Sequence, residues 1–235
     1  MRLRCFSAAL AICAGLSIAG SNSPSADELI SFDDLAGQRL LAQNFSQPGL
    51  GRLLHYFESQ IDQSFCGVAS SVIVLNSLDV PSPVSANWYP YRKFDQSNFF
   101  TEQVLALKSA KKVGTDGLTM EELAAALRTH GVKVETIHAN SLAGVEAMRS
   151  NLVAALANPN ERVIVNYLRD SLGQKGGGHF SPIAAFDTAT DRFLILDVAR
   201  YKLPPVWSAS ADLWAAINTV DFDAGQKRGL LIVSR

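Results

Sequence analysis

The chain has 235 residues, enough for one well-filled domain, including a two-lobed one. Hydrophobic residues make up 48% and charged residues 18%, a balance that excludes a disordered chain. With 21 basic against 22 acidic residues the net charge is -1, so charge gives no reason to expect nucleic acid or an anionic membrane surface as partner.

The first segment reads as an export signal. Arg2 and Arg4 precede an uncharged apolar stretch at residues 6–19, and small residues follow in Ala19-Gly20-Ser21 and Ser21-Asn22-Ser23. That pattern predicts a signal peptide at residues 1–23, a domain at 24–235, and an exported, periplasmic protein. The stretch is short for a bilayer span. An uncleaved anchor is the alternative; a lipoprotein is disfavoured by Ile12, bulky where a small residue should precede Cys13. Without Cys5 and Cys13 the mature chain keeps Cys66 alone. In an oxidising compartment an unpaired thiol is a liability unless it is buried or used.

Residues 66–78, CGVASSVIVLNSL, predict a helix with Val68, Val72 and Leu75 on one face. Residues 81–100, with three prolines and several aromatics, predict a long irregular connection. Thr119-Met120-Glu121-Glu122 is a capping box that opens a helix running to about His130. Val145, Met148, Leu152 and Leu156 fall at helical spacing, and Asn158-Pro159 stops that helix. The period then changes: residues 162–168, 180–186, 193–199 and 230–233 read as strands. Helices first and a mostly antiparallel sheet second predict an α+β fold.

The chemistry centres on Cys66. A cysteine in the first turn of a helix has its thiolate stabilised by unpaired N–H groups and the positive end of the dipole. Gly67 leaves room for a substrate carbonyl, and Gln60 offers a side-chain N–H to an oxyanion beside the backbone N–H of Cys66. Taken singly, Cys66 reads equally as a core thiol and Gln60 as a surface amide. A thiol nucleophile needs a base. His55 lies in an entry segment, His130 at a helix end where it would cap carbonyls, and His138 after a short apolar run. His179 follows Gly176-Gly177-Gly178 and opens a strand, a context that suits close approach of a substrate.

Asp197 interrupts the apolar run 193–199, where a carboxylate is costly unless paired. If the loop between its strand and that of His179 is residues 188–190, Asp187 pairs with Asp191 and residue 179 faces 199. Residues 179 and 197 are then diagonal neighbours on one face. A two- or four-residue loop without a bulge puts them on opposite faces. One cysteine and scattered histidines give no cluster at zinc or copper spacing, so no structural metal is expected.

Cysteine on an early helix, then histidine and aspartate on a later sheet, is the order of papain-like enzymes. More closely, the chain resembles the phytochelatin synthase family in its short bacterial form, from about Gln60 to Arg228. The resemblance is carried by Cys66-Gly67-Val68-Ala69-Ser70, Val165-Asn166-Tyr167-Leu168-Arg169, Gly177-Gly178-His179-Phe180-Ser181-Pro182, and above all the run LILDVARYKLPPVW at residues 194–207. It implies a helical N-terminal lobe and a mostly antiparallel C-terminal lobe. It also implies attack on the Cys–Gly bond of glutathione, with the γ-glutamylcysteinyl group held as a thioester and passed to water or a second glutathione. Cys66 would be the nucleophile, His179 the base, Asp197 its orienter, and Gln60 part of the oxyanion hole. Arg200, Asp221 and Arg228 would hold the γ-glutamyl group, with Gly178 beside them, and Arg169 is a weaker candidate for a second substrate.

Two departures qualify the resemblance. Phe65 stands where relatives commonly have tyrosine, so a hydroxyl contact there is lost. No cysteine-rich extension of the kind plant relatives carry follows Arg235, and that shifts the expectation towards hydrolysis to γ-glutamylcysteine and glycine, with transpeptidation secondary. No cofactor is required on this reading. Cadmium or zinc would enter as a glutathione thiolate complex or bind Cys66 as an inhibitor, linking the enzyme to metal detoxification. Glutathione and γ-glutamylcysteine peptides are the expected partners, no membrane is expected for the mature chain, and a homodimer is left open. Two other classes compete: a general thiol peptidase, and a non-catalytic thiol- or metal-binding protein of the envelope.

Overall fold

The computed structural model describes residues 28–235, so the expected signal segment, residues 1–23, lies outside the described residues. In chain order the elements are β1 (Ile30–Ser31), α1 (Leu35–Asn44), α2 (Leu50–Tyr56), α3 (Cys66–Ser77), α4 (Glu102–Leu107), α5 (Ala110–Asp116), α6 (Met120–Thr129), β2 (Lys133–His138), α7 (Val145–Ala157), β3 (Glu161–Leu168), β4 (Gly178–Asp187), β5 (Arg192–Ile195), β6 (Val206–Ala209), α8 (Ser210–Ile217), β7 (Val220–Asp221), β8 (Gln226–Lys227) and β9 (Gly229–Ser234). The first six helices precede most of the strands, and the fold is α+β as expected.

Seven strands form one antiparallel sheet in the order β1-β6-β5-β4-β3-β9-β2, and β7 and β8 form a separate hairpin. The sheet is covered on both faces. Ile164, Phe180, Ala184 and Leu231 face α3 and α6, whereas Val163, Val165, Ile183 and Leu230 face α7 and α8. Double coverage explains why β3 and β4 read as continuous apolar runs instead of alternating ones.

α3 departs from its predicted one-sided pattern, because every residue from Gly67 to Ser77 is buried. It lies against α2, α6 and β4 and has no solvent face. Ser70 Oγ donates to the Phe180 carbonyl at 3.2 Å, and Ser71 Oγ to the Gly67 carbonyl at 2.8 Å, so its interior hydroxyls are satisfied. Gly67 serves this packing. A Cβ there would meet the Leu123 methyls at 3.3 Å and a Leu118 methyl at 3.4 Å, so the missing side chain makes room for α6, not for a substrate carbonyl. Leu123→Ala is expected to cost about 2–5 kcal/mol in urea unfolding, since Leu123 is fully buried at this contact. A loss below about 1 kcal/mol would show that the contact is not part of the core.

The capping box forms as predicted: Thr119 Oγ1 accepts from the Glu122 N–H at 3.2 Å, and Glu122 accepts from the Thr119 N–H at 2.9 Å. His130 does not cap the helix with its ring. The ring packs against Phe94 and Phe99, and only its backbone N–H reaches back, to Leu127. Residues 81–100 are irregular as expected, pinned by buried Phe94 and Phe99.

The β4–β5 hairpin settles the register question. Asp187 pairs with Arg192, so the loop has four residues, 188–191, with Asp191 at φ 53°. A bulge between Ile183 and Ala185 then shifts the pairing so that Ile183 faces Ile195. One extra residue on β4 restores the register that the three-residue loop would have set. β5 ends at Ile195, and Asp197 sits just beyond it instead of inside a strand. The Leu196 N–H still donates to the Pro182 carbonyl at 2.9 Å, which carries the restored register towards His179.

Candidate active site

Cys66 is the first residue of α3, beside the start of β4, and is half-buried. Burial pushes its thiol up, but the charge and hydrogen bond of His179 and the N–H groups of Phe180 and Gly67 outweigh it, so the thiol lies below its ordinary value. His179 is buried at the start of β4, and its Nε2 lies 3.1 Å from Asp197 Oδ1. The ring's other nitrogen, Nδ1, is therefore the one left for the thiol. Burial pushes His179 down, but the Cys66 thiolate and Asp197 prevail and raise it. Both shifts favour a thiolate–imidazolium pair.

Asp197 is fully buried. Burial alone would raise its carboxyl, yet His179 and Arg169 hold it well below the ordinary carboxylate range. The Arg169 guanidinium meets it with both terminal nitrogens, at 2.6 and 2.8 Å, and the Ala199 N–H adds a bond at 2.8 Å. The Tyr167 hydroxyl lies 3.4 Å from Oδ2. Neither the Tyr167 contact nor this use of Arg169 is foreseen from the sequence; the available signal is the place of Tyr167 near the end of β3 and of Arg169 in the turn that follows, beside β4.

Gln60 is buried in the loop before α3. Its backbone N–H bonds the Val198 carbonyl at 2.8 Å, tying that loop to the Asp197 segment. Its amide nitrogen donates to the carbonyls of Asp62 and Gln63, each at 2.9 Å, and to the Tyr201 hydroxyl at 3.0 Å. An oxyanion would have to replace one of these acceptors.

A cavity of about 220 Å³ opens at Cys66. Its walls include Asn166, Gly178, Phe180, Asp221 and Arg228, faced by Ser64, Asp116 and Leu118. Arg228 is buried, held by Thr219 Oγ1 at 3.1 Å and the Val220 carbonyl at 2.5 Å, with Asp221 at 3.9 Å. Gly178 permits this placement, since a Cβ there would lie 2.8 Å from Arg228 Nη2. Arg200 is not brought into this group. Its guanidinium stacks on Phe57, 4.8 Å from the ring centroid, and lines a separate cavity with Tyr201 and Lys202. Phe65 packs against Phe100.

Comparison with known proteins agrees with this geometry. The family described as "Phytochelatin synthase" matches residues 21–230. A glutathione gamma-glutamylcysteinyltransferase 3 of Lotus japonicus is 33% identical over 210 residues, covering 88% of this chain and 42% of that protein. Glutathione gamma-glutamylcysteinyltransferase 2 of Arabidopsis thaliana is 33% identical over 216 residues, covering 92% and 46%. The Schizosaccharomyces pombe protein of the same name is 26% identical, covering 88% and 49%. The chain spans under half the length of each of these relatives. With most of its length matched, and with a buried histidine–aspartate pair beside a cysteine that opens onto the cavity, the chain belongs to the phytochelatin synthase family.

Proposed function

We propose that the protein cleaves the Cys–Gly bond of glutathione and passes the γ-glutamylcysteinyl group to water or to the amino group of a second glutathione. The Cys66 thiolate attacks the carbonyl carbon, and the carbonyl electrons move to oxygen, which the Cys66 N–H and the Gln60 amide stabilise. The imidazolium of His179 gives its proton from Nδ1 to the leaving glycine amine, and a thioester remains on Cys66. His179 then takes a proton from the incoming nucleophile, and the thiolate leaves. Asp197 holds the ring by Nε2 throughout. Relatives named glutathione gamma-glutamylcysteinyltransferase support this substrate.

One observation favours it over a general thiol peptidase: a buried arginine and an aspartate, Arg228 and Asp221, on the wall of the Cys66 cavity. A γ-glutamyl end presents one carboxylate and one ammonium, and this pair complements both. Arg228→Ala and Asp221→Ala are each expected to lower kcat/KM for glutathione by about 2–5 kcal/mol, roughly 30- to 5000-fold. Cysteinylglycine, which lacks the γ-glutamyl group, should be a poor substrate of the unaltered protein. Equal rates on cysteinylglycine and glutathione would favour the peptidase. We place the protein outside the cytoplasm after removal of its leader. Cadmium or zinc enters as a glutathione thiolate complex, as substrate, with no resident cofactor.

A further inference from the structure

We propose that Arg169 is a positioning residue: by gripping both oxygens of Asp197 it keeps that carboxylate ionised and aimed at His179, and so maintains the Cys66–His179 ion pair. The inference rests on the catalytic roles given above, but its first test needs no substrate.

The hydrogen bonds leave Asp197 little freedom. Oδ1 accepts from Arg169 Nη2 at 2.8 Å, from the Ala199 N–H at 2.8 Å and from His179 Nε2 at 3.1 Å. Oδ2 accepts from Arg169 Nη1 at 2.6 Å, with the Tyr167 hydroxyl at 3.4 Å. A two-pronged grip fixes the plane of the carboxylate as well as its charge. Arg169 is only 3% exposed and presents almost nothing to a second substrate.

The same residue organises the loop that delivers His179. Its backbone N–H bonds the Gly177 carbonyl, its carbonyl accepts from the Gln174 N–H, and Nη1 donates to Gln174 Oε1, each at 3.1 Å. The loop wraps it closely: a Cβ on Gly176, at φ 137°, would lie 2.9 Å from Arg169 Cδ. Arg169 thus joins the segment before His179 to the segment bearing Asp197.

The groups that face the pair are known from each packed element. Cys66 comes from α3, Tyr167 from β3, His179 from β4 and Arg169 from the turn after β3. Asp116, Asp221, Asp223 and Arg228 line the cavity beyond the sulfur, and Lys202 approaches the Gly176 loop. Among these, Asp197 is in contact with two cations, the titratable His179 and the permanently charged Arg169, and Arg169 also interacts with the Cys66 thiolate. Removing it destabilises both anions, so the thiol should ionise at higher pH.

The test is the pH dependence of Cys66 alkylation by iodoacetamide, followed by mass spectrometry without glutathione. Arg169→Met should move the thiolate limb upward by about one pH unit or more, so that the reaction at the original midpoint is about fivefold slower or more. Arg169→Lys keeps the charge but not the fork. It should move the limb by less than half as much, while kcat for glutathione falls at least about tenfold with KM nearly unchanged. An unmoved limb in Arg169→Met together with a raised KM for glutathione would overturn the proposal and make Arg169 a substrate contact. If Arg169→Met does not fold, the lysine variant decides: lowered kcat at constant KM supports positioning, and raised KM at constant kcat overturns it. A moved limb with no glutathione turnover in the unaltered protein would leave the positioning role standing and remove the glutathione reading.

Discussion

On the proposed mechanism Cys66→Ser is expected to abolish glycine release from glutathione, with a fall of about 10⁴-fold or more. The site is built around an anion at this atom: His179, the N–H groups of Gly67 and Phe180, and the first turn of α3 all favour a thiolate. They cannot do the same for a serine hydroxyl, whose far higher pKa leaves it protonated. The fold should persist, because the change is small and Cys66 is only half-buried. Glycine release by amino-acid analysis, beside a thermal melt, checks both halves. Substantial turnover by the serine variant would contradict the mechanism.

Asp197→Asn has the second large effect, and the structure makes it a double one. Asparagine offers a neutral oxygen to His179 and no longer favours the imidazolium, so kcat should fall by about 10³–10⁴-fold. The substitution also leaves the Arg169 guanidinium buried without its counter-charge. Breaking a buried pair from one side costs about 3–5 kcal/mol, so the variant should unfold at markedly lower urea. A folded, active Asp197→Asn protein would mean that the aspartate is structural at most. The Asp197→Asn, Arg169→Met double variant separates the two effects. It should recover stability, since no charge is then stranded, and recover no activity.

Much of this architecture was legible before any coordinates. The capping box at Thr119–Glu122, the helical spacing of Val145 to Leu156 and the long apolar runs of β3 and β4 are local patterns, and local patterns predict local elements. β2 and β6 were not legible, because KVETIH and VWSA are too short and mixed to announce themselves; their strand identity comes from pairing with β9 and β5. Helices α1, α2, α4, α5 and α8 were not legible either; α2, α4 and α5 have only six or seven residues, too few for a helical period to show.

At the site, the residue types and order of Cys66, His179 and Asp197 could be read. Whether the latter two shared a face hung on one bulge at Ile183/Ala185, which no nearby glycine signals. The grip of Arg169 on Asp197 was not legible because an arginine after a strand is ordinarily exposed, and its partner lies 28 residues further along the chain. Gly67 was misread because a glycine beside a nucleophile suggests access, whereas its neighbours are the side chains of Leu118 and Leu123. Arg200 was grouped with Arg228 by resemblance, and its stacking on Phe57 depends on a loop fold that the run DVARYK does not reveal.

The most direct measurement is the intact mass of the protein after brief exposure to glutathione and acid quench. A covalent γ-glutamylcysteinyl thioester on Cys66, seen as one added acyl group that maps to its peptide and vanishes in Cys66→Ser, is the predicted result. Free glycine released with no acyl group on Cys66 at any quench time, or the same adduct in the serine variant, would contradict the account.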